Sequence, residues 1–235
     1  MRSFWKRTNR GLWLGAILLV LLIGFIVFKQ VRFTLEKPQI RETAVTFVTE
    51  LLEINKVPDA VPGKTLTEAQ KKAQTDALQS LLVEYWMEDP SAGTAINYFY
   101  LGVETLGSDD LEEILTEYQN LPQNRITSMN VMVPEREINI RADGTERVSV
   151  DGVADVVIGM SGNDPLYGAG GLFPDRYGLA DLSEKEGIPQ NDWEIGYAVS
   201  FNIDMMRTGK GWYVTGLSIN IHQTWSEPAE GGEAK

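Results

Sequence analysis

The stretch Ile195-Gly-Tyr-Ala-Val-Ser-Phe-Asn-Ile-Asp-Met205, continued by Met206-Arg-Thr-Gly-Lys-Gly-Trp-Tyr-Val-Thr-Gly-Leu-Ser-Ile-Asn-Ile221, decides the fold. In its first half Ile195, Tyr197, Val199, Phe201, Ile203 and Met205 alternate with Gly196, Ala198, Ser200, Asn202 and Asp204. A period of two is the mark of a strand with one face in a core and the other wetter. Thr208-Gly-Lys-Gly211 then turns the chain into a second strand, in which Trp212 and Val214 are in phase but Leu217, Ile219 and Ile221 are shifted by one. A bulge near Gly216 absorbs that slip, because one extra residue restores the inward side chains to the same face.

The same period extends upstream. Val148, Val150, Ala154, Val156 and Ile158 line one face of a long strand, with Arg147, Ser149, Asp151 and Asp155 on the other. Ala142-Asp-Gly-Thr145 forms the turn before it, preceded by shorter strands at Met129–Val133 and Ile138–Ile140. Before Pro122 the period is that of helices. Ile40, Ala44, Phe47, Val48, Leu51 and Leu52 recur at steps of three and four, with Pro38 in the first turn and the end near Asn55. Thr65-Leu-Thr-Glu68 fits a capping box at the start of a second helix, whose inward candidates are Ala73, Ala77, Leu81, Leu82, Tyr85 and Trp86. Ser108 caps a third, with Leu111, Ile114, Leu115 and Tyr118 inward. Helices first and an antiparallel meander afterwards define an α+β class: two to three helices packed on a curved antiparallel sheet of four to five strands.

In front of this domain the chain reads GLWLGAILLVLLIGFIVF from Gly11 to Phe28, eighteen residues without a charge, long enough to cross the hydrocarbon of a bilayer. Leu12, Trp13, Leu14, Ile17, Leu18, Leu21, Ile23, Phe25 and Phe28 are its anchor side chains. Lys29-Gln-Val-Arg-Phe33 comes next in place of a small-residue cleavage site, which favours a retained anchor over a removed signal. Phe33-Thr-Leu-Glu36 resembles the tetrapeptide of type IV pilins, but there it opens the apolar helix, whereas this one lies after it. Basic residues flank both ends of the run. The long C-terminal domain lowers the weight of the second set, so the N-terminus is expected in the cytoplasm and the domain outside it, in a cell membrane. The expected organisation is a cytoplasmic tail at 1–10, a transmembrane helix at 11–33, an extracytoplasmic domain at 34–225 with a long loop at 161–191, and a disordered tail at 226–235.

Of the 21 basic residues four lie in the first ten, where none of the 33 acidic ones does, leaving residues 11–235 with a net charge of −16. Such a surface repels phosphate backbones, so no nucleic-acid partner is expected. The absence of cysteine excludes disulfides, thiolate metal sites and cysteine nucleophiles.

The order of helices and long strands, closed by Arg207-Thr-Gly-Lys-Gly-Trp-Tyr-Val-Thr-Gly-Leu217, resembles the NTF2-like (cystatin-like) superfamily over roughly residues 38–223. With an anchor in front, the layout is similar to the VirB8-like and TcpC-like subunits of bacterial conjugation and type IV secretion machines. The resemblance implies a cone between helices and sheet, where enzymes of the superfamily place an acid and tyrosines. Tyr85, Tyr98, Tyr100, Tyr118 and Tyr197 are candidates to line such a cone or to fill it.

The chemistry-bearing residues are few. His222 is the only histidine, on the strand face opposite Leu217, Ile219 and Ile221, with no acid or second histidine near it in sequence. Asp151 and Asp155 share a strand face two steps apart, too far for a shared proton but near enough for contact with one cation, and a solvated face is the favoured reading. Gly168, Gly170 and Gly171 do not sit between a strand and a helix as a phosphate cradle requires. Residues 161–191 exceed ordinary loop length, and Leu166, Tyr167, Leu172, Phe173 and Tyr177 give them enough apolar content to plug the cone or to dock a partner. No cofactor or metal is expected. The resulting expectation is a non-enzymatic, membrane-anchored assembly or scaffolding subunit of a bacterial envelope complex, a conjugation or secretion channel being the specific case, working through contacts with other envelope proteins or a second copy of itself. The alternative is an extracytoplasmic module that binds or senses a small ligand in an NTF2-like pocket.

Overall fold

The computed structural model describes residues 10–61, 65–87, 105–120, 125–144, 146–161 and 192–228. Its elements are α1 (Arg10–Glu53), α2 (Glu68–Tyr85), β1 (Thr105–Leu106), α3 (Ser108–Asn120), β2 (Arg125–Met132), β3 (Asn139–Ala142), β4 (Arg147–Ser161), β5 (Asp192–Arg207) and β6 (Trp212–Pro228), with a 3-10 turn at Glu135–Glu137. The chain divides into two compact units, Met1–Ile40 and Arg41–Lys235.

In the first unit the apolar run is helical throughout, and the helix does not restart at Pro38. Pro38 lies inside α1, against the expectation that it opens a new helix. A proline inside a helix withholds one N–H from the carbonyl four residues back. The ring-and-ammonium contacts of this unit run along the helix: Lys29 Nζ sits 4.3 Å from the Phe25 ring centroid and Lys37 Nζ 5.0 Å from that of Phe33.

The second unit is the expected α+β domain. Among the described residues its sheet runs in the order β1-β6-β5-β4-β2, with β3 beside β4, six strands in place of four or five, all antiparallel. The two-residue β1 is too short to leave a period in the sequence. The inward faces are those the alternation marked. On β4, Val148, Val150, Ala154, Val156 and Ile158 are buried, as are Ile195, Tyr197, Val199, Phe201, Ile203 and Met205 on β5. The bulge in β6 falls at Thr215: Met205 pairs with Val214 and Asp204 with Gly216, so the intervening residue is extra. Thr215 Oγ1 donates to the Asp204 carbonyl at 3.2 Å, and beyond it Leu217 faces Ile203 and Ile221 faces Val199, back in the core. The turn into β6 ends at Gly211, whose φ of 148° suits a residue without a Cβ.

The helices cover the inward face through their apolar stripes. Ala44, Phe47, Val48, Leu51 and Leu52 of α1 are all buried, as are Leu111, Leu115 and Tyr118 of α3. The strand-like ends of the helices add hydrogen bonds to the sheet: Val57 N–H donates to Ile126 at 2.7 Å and Met87 N–H to Val214 at 2.8 Å.

Three local expectations are corrected. The capping box of α2 is Thr67 with Gln70, two residues later than expected. The Thr67 hydroxyl accepts from Gln70 N–H at 3.3 Å, and Gln70 Oε1 accepts from Thr67 N–H at 3.0 Å. This start puts Glu68 in the first turn, where its charge meets the positive end of the helix. The buried stripe of α2 is Gln74, Leu78 and Leu81, while Ala73 and Ala77 are exposed. Gln74 is tolerated inside because its amide donates to the Ile54 carbonyl at 2.8 Å, just past the end of α1. At the C-terminus, β6 continues to Pro228, three residues into the tail expected from 226.

Candidate functional site

Three places carry the candidate residues, and each is defined by its surroundings. The first is the apolar run. Leu12 lies within α1, and Trp13, Leu14, Ile17, Leu18, Leu21, Ile23, Phe25 and Phe28 are between 51% and 63% exposed. Such uniform exposure leaves no side of the run set aside for a protein core. At 1.5 Å per residue, eighteen residues span about 27 Å, close to the hydrocarbon thickness of a bilayer. The helix is thus long and apolar enough to cross a membrane.

The second place is the interior under the helices. A cavity of about 20 Å³ lies among Leu51, Ile54, Asn55, Leu78, Leu111, Ile114 and Leu115. That is room for about one water molecule, far below the volume of a metabolite site. Its polar members are already committed: Asn55 Nδ2 donates to the Leu52 carbonyl at 3.0 Å, and the Tyr118 hydroxyl donates to the Asn55 carbonyl at 3.1 Å. Of the candidate tyrosines, Tyr118 and Tyr197 are buried and fill the interior rather than line an opening. Tyr85 is half-buried at the edge, its ring centroid 6.4 Å from that of Phe47. Burial raises its hydroxyl pKa, helped by the charge of Glu50 and a hydrogen bond to Glu84. Glu50 is raised as well, first by desolvation and then by the charges of Glu84 and Glu53. Tyr98 and Tyr100 lie outside the described residues.

The third place is the outward face of the sheet. Asp151 accepts from Asn202 Nδ2 at 2.6 Å and pairs with Arg141 Nη2 at 3.1 Å. Asn202 also donates to Ser149 Oγ at 2.8 Å, and Ser149, although outward, is buried. Asp204 stands beside Ser149 across the ladder. Its pKa is raised, first by desolvation and then by the charge of Asp143, against the lowering hydrogen bond from Ser149 and the charge of Arg147. Asp155 is exposed and not part of this network. It shares a row with His222, since both pair with Ala198 from either side, which sets their backbones about 10 Å apart at two strand spacings. That is too far for an acid to orient an imidazole by a direct hydrogen bond. The polar row thus joins Asp151 to Asn202, Ser149 and Arg141, while Asp155 stays exposed, as expected of a solvated face. Among the described residues no group of three or more His, Cys, Asp or Glu side chains is placed to hold a metal ion.

Leu166, Tyr167, Leu172, Phe173 and Tyr177 lie outside the described residues, as do Gly168, Gly170 and Gly171.

No family model matches the chain, and no curated protein matches it. Among solved structures, it is similar to a hexachlorocyclohexane dehydrochlorinase (LinA) type 2, at 12% identity and a TM-score of 0.39, over 84% of this chain and 93% of that one. The neighbour is named as an enzyme. The expectation that this domain is non-enzymatic is corrected on that finding and is carried no further.

Proposed function

We propose that the chain is a single-pass membrane protein, with its N-terminus in the cytoplasm and its α+β domain outside, and that the domain acts as an assembly or scaffolding subunit of a bacterial envelope complex. A conjugation or type IV secretion channel is the specific form of this reading. The observation that carries it is the apolar run Trp13–Phe28, exposed on every side and succeeded by a folded domain with a core of its own. A run of this kind is stable in hydrocarbon and costly in water, since each exposed apolar side chain forgoes about 1.5–3 kcal/mol of burial. The anchor confines the domain to a membrane surface, where partners share its plane and weak contacts suffice.

Two features support partner contacts as the domain's mode of action. Trp225 is 40% exposed on the outward face of the sheet, lying over Gly196, where any Cβ would collide with the indole. Exposed aromatics of this kind are the usual anchors of interfaces. The apolar side chains Tyr167, Phe173 and Tyr177, in a segment longer than an ordinary loop, supply further anchors by their chemistry alone.

The test is cross-linking of the full-length protein in its own membrane, beside a variant with Trp225→Ala and another with Tyr167, Phe173 and Tyr177 changed to Ser. The reading predicts a defined set of membrane proteins captured by the wild type and lost from at least one variant. Capture of nothing specific, or of the same set by all three, contradicts it.

A further inference from the structure

The outward face of the sheet is divided by chemistry. At one end stand Arg141 and Arg147, opposite Ser149 and Met206, in and beside the polar row. At the other end Trp225 lies opposite Gly196, which pairs in turn with Val157. A Cβ at Gly196 would fall against Nε1, Cε2 and Cδ1 of the Trp225 indole at once. An approach so close to three neighbouring ring atoms comes only from above the ring plane, so the indole lies face down on the glycine. Its other face is turned to solvent, which makes it a platform.

Carboxylates stand on both sides of that platform. Glu194 precedes Gly196 by two residues on β5, about 7 Å along the strand, and Asp155 lies on β4 one row further, about 8 Å away on the diagonal. Both are exposed, and neither is in an ion pair among the described residues. The three rows of the ladder that carry Glu194, Gly196 and Asp155 hold no lysine or arginine at any paired position. A ring face between two unanswered carboxylates attracts a cation, and a flat one best: a guanidinium stacks on the indole while its N–H groups reach outward to carboxylate oxygens. A lysine ammonium is a compact, strongly hydrated charge and gains less from the ring. A sugar also stacks on an exposed ring, but it has no charge to answer the carboxylates.

We infer that Trp225, with Glu194 and Asp155, receives an arginine side chain of a partner protein. This rests on the reading of Trp225 as an interface anchor and names the chemistry of what docks there. The partner is a different chain, since residues 11–235 of a second copy carry the same net charge of −16 and two such surfaces repel. The basic residues of the first ten lie across the membrane on the proposed topology and do not reach the platform.

The probe is the side chain itself. Full-length protein with isotope-labelled tryptophan is held in phosphatidylcholine nanodiscs and titrated with N-acetyl-arginine amide, N-acetyl-lysine amide or diacetylchitobiose. The readout is the Trp225 indole N–H resonance, identified by its loss in Trp225→Phe. The arginine amide is expected to move it at a concentration about two- to five-fold below that of the lysine amide, the factor that an exposed cation–π contact supplies, and the sugar to leave it in place. Glu194→Gln with Asp155→Asn, at exposed positions, is expected to raise the arginine concentration needed by about five-fold, as for two exposed ion pairs lost. A resonance indifferent to arginine, moved equally by lysine, or moved by the sugar instead overturns the inference. Cross-linking in the native membrane with the same double variant separates the two claims. Partners lost from both Trp225→Ala and the double variant support the arginine site. Partners lost from Trp225→Ala but kept by the double variant refute the arginine alone, and capture of nothing specific refutes the docking reading and the arginine with it.

Discussion

α1 contains two apolar regions of opposite fate. From Trp13 to Phe28 the apolar side chains are exposed on all sides, whereas Ala44, Phe47, Val48, Leu51 and Leu52 are buried. Both composition and arrangement separate them. The first run is apolar at nearly every position and has no polar side to turn outward, so water is the wrong solvent for all of it. The second confines its buried residues to one stripe and leaves Glu42, Glu50 and Glu53 exposed, which suits a helix between a core and water.

The comparison can be broken at either region, and the effects should be separable. Leu18→Arg with Leu21→Arg places two charges near the middle of the first run, at a cost of about 2.5–3.5 kcal/mol each for insertion. Membrane retention on carbonate extraction is expected to be lost, while the thermal transition of the domain stays where it was. Phe47→Ala does the reverse. It empties a fully buried site against Tyr85 and Trp86, and should lower domain stability by about 3–5 kcal/mol in a denaturant titration with no effect on retention.

A subtler perturbation sharpens the stripe itself. Gln74→Ala removes the donor from the Ile54 carbonyl at the end of α1 and is expected to cost about 1–3 kcal/mol, more than an alanine scan of exposed α2 positions such as Lys72 or Gln79. The smallest effect lies on the sheet's outward face. Asp204 has a raised pKa in the fold, so the unfolded chain gives up its proton first as pH rises. Its contribution to stability is intact below the ordinary carboxylate pKa and is lost as pH climbs through the folded value. Asp204→Asn should therefore melt above the wild type at neutral pH, with the gap closing in acid; a gap that widens in acid would contradict the assigned environment.

Legibility depended on whether a force acts along the chain or across it. The three long strands were readable because each buries one whole face, and a period of two survives any loop between them. The bulge was readable for the same reason, since the phase slip between Val214 and Leu217 has only one structural remedy. The pattern of α2 misleads where polarity and burial part company: Gln74 is buried through a hydrogen bond to a carbonyl twenty residues earlier, and nothing local announces that partner. Pro38 gave a start signal that the surrounding helix overrode. The network of Arg141, Ser149, Asp151 and Asn202 is hidden because the pairing of β3, β4 and β5 assembles it, bringing Asn202 beside Ser149 and Asp151 from about fifty positions away.

On the proposed topology the run Trp13–Phe28 crosses a membrane and leaves the domain on the far side from the cytoplasm. The chain has no cysteine of its own, so a single Lys210→Cys substitution, at an exposed turn of the domain, gives one reporter. Intact cells carrying this variant are treated with a membrane-impermeant maleimide, and the label is compared before and after lysis. Full labelling of intact cells is expected, with the protein remaining in the membrane after carbonate. Labelling that appears only on lysis would contradict that topology.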